Sequence, residues 1–181
     1  MSYYYFDVET FSPNAVPSPG EDKLITVQFQ ELDPATGQPE GELTILKEWE
    51  SSEKEVLQRF APLVKPWSFI PVGTNLRFDR SVLAGRCAAH GIALHADVIE
   101  QKLPSIDLKS IFVILNRGQF KGSGMHNFTA KKTSGAMIGN WYAEKNYVKI
   151  EEYIREEAAA FIEFYQKCCK ELPRALISSK A

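Results

Sequence analysis

The sequence predicts an α/β fold with a mixed sheet that opens on a three-stranded antiparallel meander and is flanked by helices. Three observations carry this. Residues 3–49 hold three β-rich stretches separated by loop and turn chemistry. A continuous apolar run over 67–72 lies between two helical patterns, as a strand buried on both faces would. The longest apolar stripe, over Val148–Leu172, recurs at helical spacing (Ile150, Tyr153, Ile154, Ala158, Phe161, Tyr165).

Taken in order, Tyr3–Thr10 is a strand of aromatic and β-branched residues, broken by Pro13. Ser12–Asp22, with Pro13, Pro17, Pro19 and Gly20, is a long loop expected to cover or border whatever the end of the first strand holds. Leu24–Gln30 is the second strand, Asp33–Gly41 is turn chemistry, and Glu42–Trp49 is the third strand. Ser51–Val64 is a helix capped by Ser51 or Ser52, with Glu55 at capping-box spacing from Ser52. Its inward stripe is Val56, Leu57, Phe60, Leu63 and Val64, and Pro66 ends it. Trp67–Val72 is a strand despite Pro71. It delivers the chain through Gly73 to a helix from about Phe78 to near Gly91, with Val82, Leu83 and Cys87 inward. Residues 97–104 fit no pattern, and Ser105–Leu108 fits a short strand or a helix entry. Leu108–Asn116 is helical, Gly118–Gly124 a mobile loop, Asn127–Ile138 a short helix with Phe128 inward, and Gly139–Tyr142 a turn. The domain is expected over 1–172, with a tail from Pro173 to Ala181.

Composition narrows the function. At 44% hydrophobic the chain can build a core, and a net charge of -2 excludes a nucleic-acid binder that works by bulk positive charge. A metal-dependent nuclease remains compatible, because its cations supply local positive charge. Cys87, Cys168 and Cys169 form neither a disulfide framework nor a zinc spacing and are expected as reduced thiols. With no apolar leader and no run approaching the ~20 residues of a membrane span, a soluble, cytoplasmic protein without membrane partners is expected.

Asp7 and Glu9 are two apart and project from one face of the first strand. Side-by-side carboxylates on an apolar strand repel, and a folded protein tolerates them when a hard cation such as Mg2+ or Mn2+ sits between. The same pair also fits the solvent face of an edge strand, so this stretch alone leaves both readings open.

Three motifs, in order, carry a family resemblance. Phe6-Asp7-Val8-Glu9-Thr10 resembles the first motif of the DEDD (DnaQ-like) 3′–5′ exonucleases. Gly73-Thr74-Asn75-Leu76-Arg77-Phe78-Asp79 resembles the second, and Tyr153-Ile154-Arg155-Glu156-Glu157 the third, in its Tyr-containing branch. The resemblance spans nearly the whole chain and is similar to the proofreading domain of type-B DNA polymerases. It implies a ribonuclease H-like fold and four carboxylates, Asp7, Glu9, Asp79 and Glu157, holding two divalent cations, Mg2+ or Mn2+. It further implies that Asp7 bridges both cations, that Glu9 and Glu157 share the one carrying the attacking water, and that Tyr153 positions that water. Thr10, Phe11, Asn75, Phe78 and Lys121 stand on the substrate side. Independently of the family, Tyr153 and Glu157 are i and i+4 and share one helical face.

The chain departs from the motif at Glu157, where the family has Asp. A longer ligand fits poorly in sites that demand tight geometry, so weaker metal binding, Mn2+ preference or impaired catalysis would follow. Glu156, about 100° around the helix, is a poorer ligand. His126 has Lys131 rather than an acid five residues on, so the His-containing branch fails there; His90 and His95 are expected on a surface turn. Asp107 is expected to cap the helix after it. Lys121, Lys131 and Lys132 with Phe120, Phe128, Trp141 and Tyr142 fit a groove for single strands and equally fit surface lysines over core aromatics. Two functions are therefore expected as rivals. One is a two-metal exonuclease on single-stranded DNA or RNA 3′ ends, with replication or repair partners. The other is a ribonuclease H-like nucleic-acid or protein binding module whose catalysis Glu157 has impaired.

Overall fold

The computed structural model describes residues 1–12, 18, 19, 21–99, 102 and 104–177. Five strands, β1 (Tyr3–Phe11), β2 (Lys23–Leu32), β3 (Thr44–Lys47), β4 (Ile70–Gly73) and β5 (Ile106–Asp107), form one sheet in the order β3-β2-β1-β4-β5. β1–β2 and β2–β3 are antiparallel, whereas β1–β4 and β4–β5 are parallel, so the sheet is mixed. β1 lies at its centre, which removes the edge-strand reading of Asp7 and Glu9. The β1–β2 register runs from Tyr3 opposite Leu32 to Phe11 opposite Lys23, with an irregularity between Glu9 and Thr10.

The period of β1 divides its residues between two helical layers. Phe6 and Val8 join the cluster of α1 (Glu53–Phe60) and α2 (Leu76–Ala89), built on Val56, Leu57, Phe60, Val82 and Leu83. Tyr5 faces the other way, onto Phe112 of α4 (Lys109–Leu115) and Phe161 of α6 (Tyr147–Ile177). Each such side chain taken from water stabilises the fold by about 1.5–3 kcal/mol. By the same alternation, Asp7 and Glu9 point to the α6 side.

Several boundaries differ from expectation for local reasons. The third strand is shorter, and Glu48–Glu50 forms a 3-10 turn that stacks Trp49 on Tyr147 at 4.6 Å between centroids. Ser52 caps α1, accepting the Glu55 N–H at 3.2 Å. Beyond Phe60 the helix tightens into a 3-10 turn containing Pro62, which turns Leu63 out of the expected stripe to 45% exposure. Trp67 is not in a strand: it has φ 64° and is 62% exposed. Pro71 is tolerated because the Ile70 N–H donates to Ser2 on the β1 side. One residue on, the missing N–H of Pro71 points the other way, where pairing with β5 begins only at Val72.

Asp97 falls in a short helix, α3 (Ala96–Ile99). Asn127–Ile138 is not a helix: two 3-10 turns, Met125–Asn127 and Gly135–Met137, flank an irregular stretch. The expected inward Phe128 does stack on Phe112, at 5.6 Å. The expected turn at 139–142 is instead α5 (Ile138–Ala143), held by Ile138 in the core and by Tyr142 against Phe11 at 4.9 Å. α6 continues through Pro173 to Ile177. Proline removes the one backbone donor that would reach the Cys169 carbonyl, and it does so in a last stretch whose residues 170–174 are exposed and little packed. His90 is half-buried rather than on a free surface turn, bonded to Glu53 at 2.9 Å. The loop expected to border the site falls largely on residues 13–17 and 20, outside the described residues.

Candidate metal centre

Two close approaches set the frame. A Cβ on Gly73, the last residue of β4, would lie 2.6 Å from both the Phe6 carbonyl oxygen and Leu76 Cδ2, so only glycine lets the chain turn this tightly from β4 against β1. The turn passes through Asn75 in the left-handed region (φ 61°) and enters α2. Asp107, at the end of β5, holds that entry: its carboxylate accepts the N–H of Asn75 at 2.9 Å and of Leu76 at 3.0 Å. It also accepts the Lys109 N–H at 2.9 Å, the expected local cap. The result is a fixed first turn that carries Asp79, buried at 3% exposure and close enough to Asp7 to feel its charge.

On the α6 side, Asp7, Glu9 and Glu157 each bring one carboxylate oxygen within 4.8 Å of the others. Despite the extra methylene that sets it apart from the motif's Asp, Glu157 reaches the pair on β1. Asp7 is oriented from behind by a buried chain of polar groups: the Thr26 hydroxyl donates to Gln28 Oε1 at 2.9 Å, and Gln28 Nε2 donates to Asp7 Oδ2 at 2.8 Å. The signal for this relay was present in β2, where two polar residues interrupt an apolar strand at period 2.

The electrostatics are those of crowded carboxylates. Burial, and then the charge of Glu157, push the Asp7 carboxyl up to about 7, against the Gln28 hydrogen bond. Glu9 is raised well above the usual carboxylate range by burial and by Asp7 and Glu157, and Asp79 by burial and Asp7. Tyr153 is raised far above an ordinary phenol by burial and then by Glu9 and Glu157. Its hydroxyl therefore stays protonated and serves as a hydrogen-bonding group, not a base.

Lys131, expected in a groove for single strands or among surface lysines, stands instead against the acidic cluster. Its ammonium lies 2.7 Å from Glu157 Oε1 and donates to the Tyr153 hydroxyl at 2.6 Å. Lys121, by contrast, is exposed and is not among the residues lining the pocket beside Asp7. That pocket, about 170 Å³, is lined by Tyr5, Asp7, Thr74, His126, Lys131 and Glu157 among others. Tyr5 and Thr74, on its wall, carry hydroxyls with no hydrogen-bond partner among the described residues. His126 lines the same pocket as Asp7. Of the substrate-side residues, Phe78 packs against the α1–α2 core, Phe11 on Tyr142, and Asn75 is exposed. Trp141 lies 6.3 Å from the Tyr153 ring, part of the core under α6.

An all-oxygen, mutually repelling donor set with two unsatisfied hydroxyls nearby fits a hard divalent cation better than any other partner. Fold and site together define a class: a ribonuclease H-like domain with an acidic cluster at the centre of its sheet. Solved structures with this fold include the zinc-bound form of the E. coli exonuclease I–single-stranded DNA complex (TM-score 0.66, 14% identity, 98% of this chain and 42% of that one). E. coli exonuclease I in complex with a dT13 oligonucleotide is similar at TM-score 0.65 and 13% identity, over 98% of this chain and 43% of that one. The family B DNA polymerase of the archaeon Pyrobaculum calidifontis matches at TM-score 0.67 and 16% identity, over 92% of this chain and 24% of that one. The chain thus spans about two fifths of the exonuclease I chains and about a quarter of the polymerase. The shared feature is the ribonuclease H-like fold. No family model and no curated protein matches the sequence. No helix among the described residues is long and apolar enough to cross a membrane.

Proposed function

We propose that the chain is a metal-dependent 3′–5′ exonuclease that hydrolyses phosphodiester bonds at single-stranded nucleic-acid 3′ ends. The observation that carries this is the convergence of Asp7, Glu9 and Glu157 within 4.8 Å, with Asp79 close enough to Asp7 to feel its charge. Asp7, Glu9, Asp79 and Glu157 would hold two divalent cations, Mg2+ or Mn2+. Bound there, such cations activate a water and stabilise the leaving oxygen of a phosphodiester. The chain's own residues do the rest. The Thr26–Gln28 relay fixes the Asp7 carboxylate, and Asp107 fixes the turn that carries Asp79. Tyr153, protonated and bonded by Lys131 one helical turn from Glu157, orients the attacking water. Of the residues expected on the substrate side, Thr10 and Asn75 keep that proposed role, while Phe11 and Phe78 would support it from the packing beneath and Lys121 from outside the pocket; the single-stranded DNA bound by exonuclease I supports a single strand as substrate.

The test is release of mononucleotides from 5′-labelled single-stranded DNA and RNA oligomers with Mg2+ or Mn2+. Wild type is expected to shorten the strand from its 3′ end, and Asp7→Ala to abolish this. Undiminished cleavage by Asp7→Ala or in EDTA would sink the reading. One observation favours a rival: Glu157 is already paired, with Lys131. If the strand is bound but never shortened with either metal, the chain is a binding module that has lost turnover.

A further inference from the structure

Lys131 sits in the irregular stretch between the two 3-10 turns, yet its side chain is only 9% exposed. Beside its contacts to Glu157 and the Tyr153 hydroxyl, its ammonium lies 4.4 Å from the centre of the Tyr153 ring. Its charge also favours the ionised forms of Asp7 and Glu9.

The stretch is tied to α6 by the neighbouring carboxylate. Glu156 accepts the Lys132 N–H at 2.6 Å, the Thr133 hydroxyl at 2.8 Å and the Thr133 N–H at 3.4 Å. Two residues on, a Cβ at Gly135 would lie 2.8 Å from the Tyr153 hydroxyl, so glycine makes room for the phenol that Lys131 contacts. Glu156 therefore anchors the strap, and Glu157 receives its lysine.

We propose that Lys131 is a tethered counter-cation of the acidic cluster, which competes with a divalent cation for Glu157 and must yield that contact for the site to load. The proposal rests on the metal-binding reading of the cluster. An ammonium is a compact point charge with three donors, able to engage the oxygens a metal would use. Ammonium and dication on one carboxylate repel, so the stronger partner displaces the other. The strap would thereby neutralise repelling carboxylates when no divalent cation is bound, and raise the cation concentration needed to activate the site.

The test uses the full chain and Mn2+ alone. Free Mn2+ is followed by electron paramagnetic resonance for wild type, Lys131→Met and Glu156→Gln, and thermal unfolding is recorded in EDTA and in saturating Mn2+. Lys131→Met is expected to bind Mn2+ about tenfold more tightly, the equivalent of one lost charge-assisted hydrogen bond. It should also unfold at lower temperature in EDTA and gain more from Mn2+ than wild type does. Glu156→Gln, which loosens the strap while keeping Lys131, should shift both quantities the same way by less, and it decides the matter should Lys131→Met not fold. Mn2+ binding by wild type that neither variant tightens overturns the counter-cation role and leaves the metal site standing. Binding by no protein overturns both. Binding by Lys131→Met alone supports the proposal in its strongest form.

Discussion

The carboxylate of Asp107 on β5 accepts the backbone N–H groups of both Asn75 and Leu76, at 2.9 and 3.0 Å, thirty-odd residues away in the chain. Asn75 makes no cap of its own, so Asp107 supplies the acceptor that the start of α2 otherwise lacks. Asp107→Ala is expected to cost about 1–3 kcal/mol by leaving these donors unpaired. It should also loosen the turn that carries Asp79. Denaturant unfolding checks the first effect, and Mn2+ affinity, expected to weaken, checks the second.

Glu157→Asp withdraws the carboxylate by one methylene from a cluster it now reaches. Mn2+ affinity and strand shortening are each expected to fall about tenfold, the lower end for a disturbed ligand shell. A rise in activity would instead identify the extra methylene as the limit on turnover. Single-turnover cleavage with equilibrium Mn2+ binding separates the two.

Asp7 gives a pH signature in EDTA. Its carboxyl is pushed up to about 7 in the folded chain, so the stability linked to it is full below the unfolded value near 4 and is lost as pH rises through about 7. Asp7→Asn cannot ionise. At pH 8 it should be more stable than wild type by about 1–2 kcal/mol after solvent screening, and the gap should close below pH ~4. Thermal unfolding across this range in EDTA is the check, and saturating Mn2+ should reverse the order.

Glu53 titrates with the opposite sign. Burial opposes its ionisation, but hydrogen bonds from Arg86 and His90 and from the Leu24 N–H outweigh it and hold the carboxyl below the usual range. Its stabilisation is present above the unfolded value near 4.3 and is lost as pH falls through the lowered folded one. Glu53→Gln is expected to cost about 2–4 kcal/mol at pH 7, by stranding the buried partners, and less as pH drops below 4. Urea unfolding at pH 7 and pH 3.5 measures the difference.

Gly135→Ala tests the packing of the phenol. The added methyl would meet the Tyr153 hydroxyl at 2.8 Å and must displace it or the strap. Strand shortening should fall about tenfold or more, as a misplaced positioning group implies, while unfolding changes by less than about 1 kcal/mol.

What the sequence disclosed and what it hid follow from the range of each signal. The alternation of β1, the apolar run through Val72 and the stripe of α6 are local periodicities, and each marks its element. The ribonuclease H-like fold expected from the three motifs is the fold observed. The spacing of Tyr153 and Glu157 on one turn likewise brought both to one face. Contacts made between irregular segments left no such trace. Lys131 comes from a stretch with no period, where the reading of a short helix with Phe128 inward fails although Phe128 does pack inward. Asp107 was legible only as a local cap, since nothing in a linear reading couples β5 to α2. Hydrophobicity alone assigns Trp67 to a strand, although it stands in a left-handed turn.

The central position of β1 has a mechanical consequence. The strand bearing Asp7 and Glu9 is hydrogen-bonded to β2 along its whole length and to β4 over Tyr3–Tyr5, whereas Glu157 rides on a helix that meets the sheet through side chains alone. The cluster is built like a vice with one jaw held by backbone hydrogen bonds and one held by packing. Anything that levers α6, whether a neighbouring domain, a bound strand or a substitution beneath Phe161, sets the gap between the jaws. Tuning of the site is then to be sought along α6 and its supports, far from the two acids of β1.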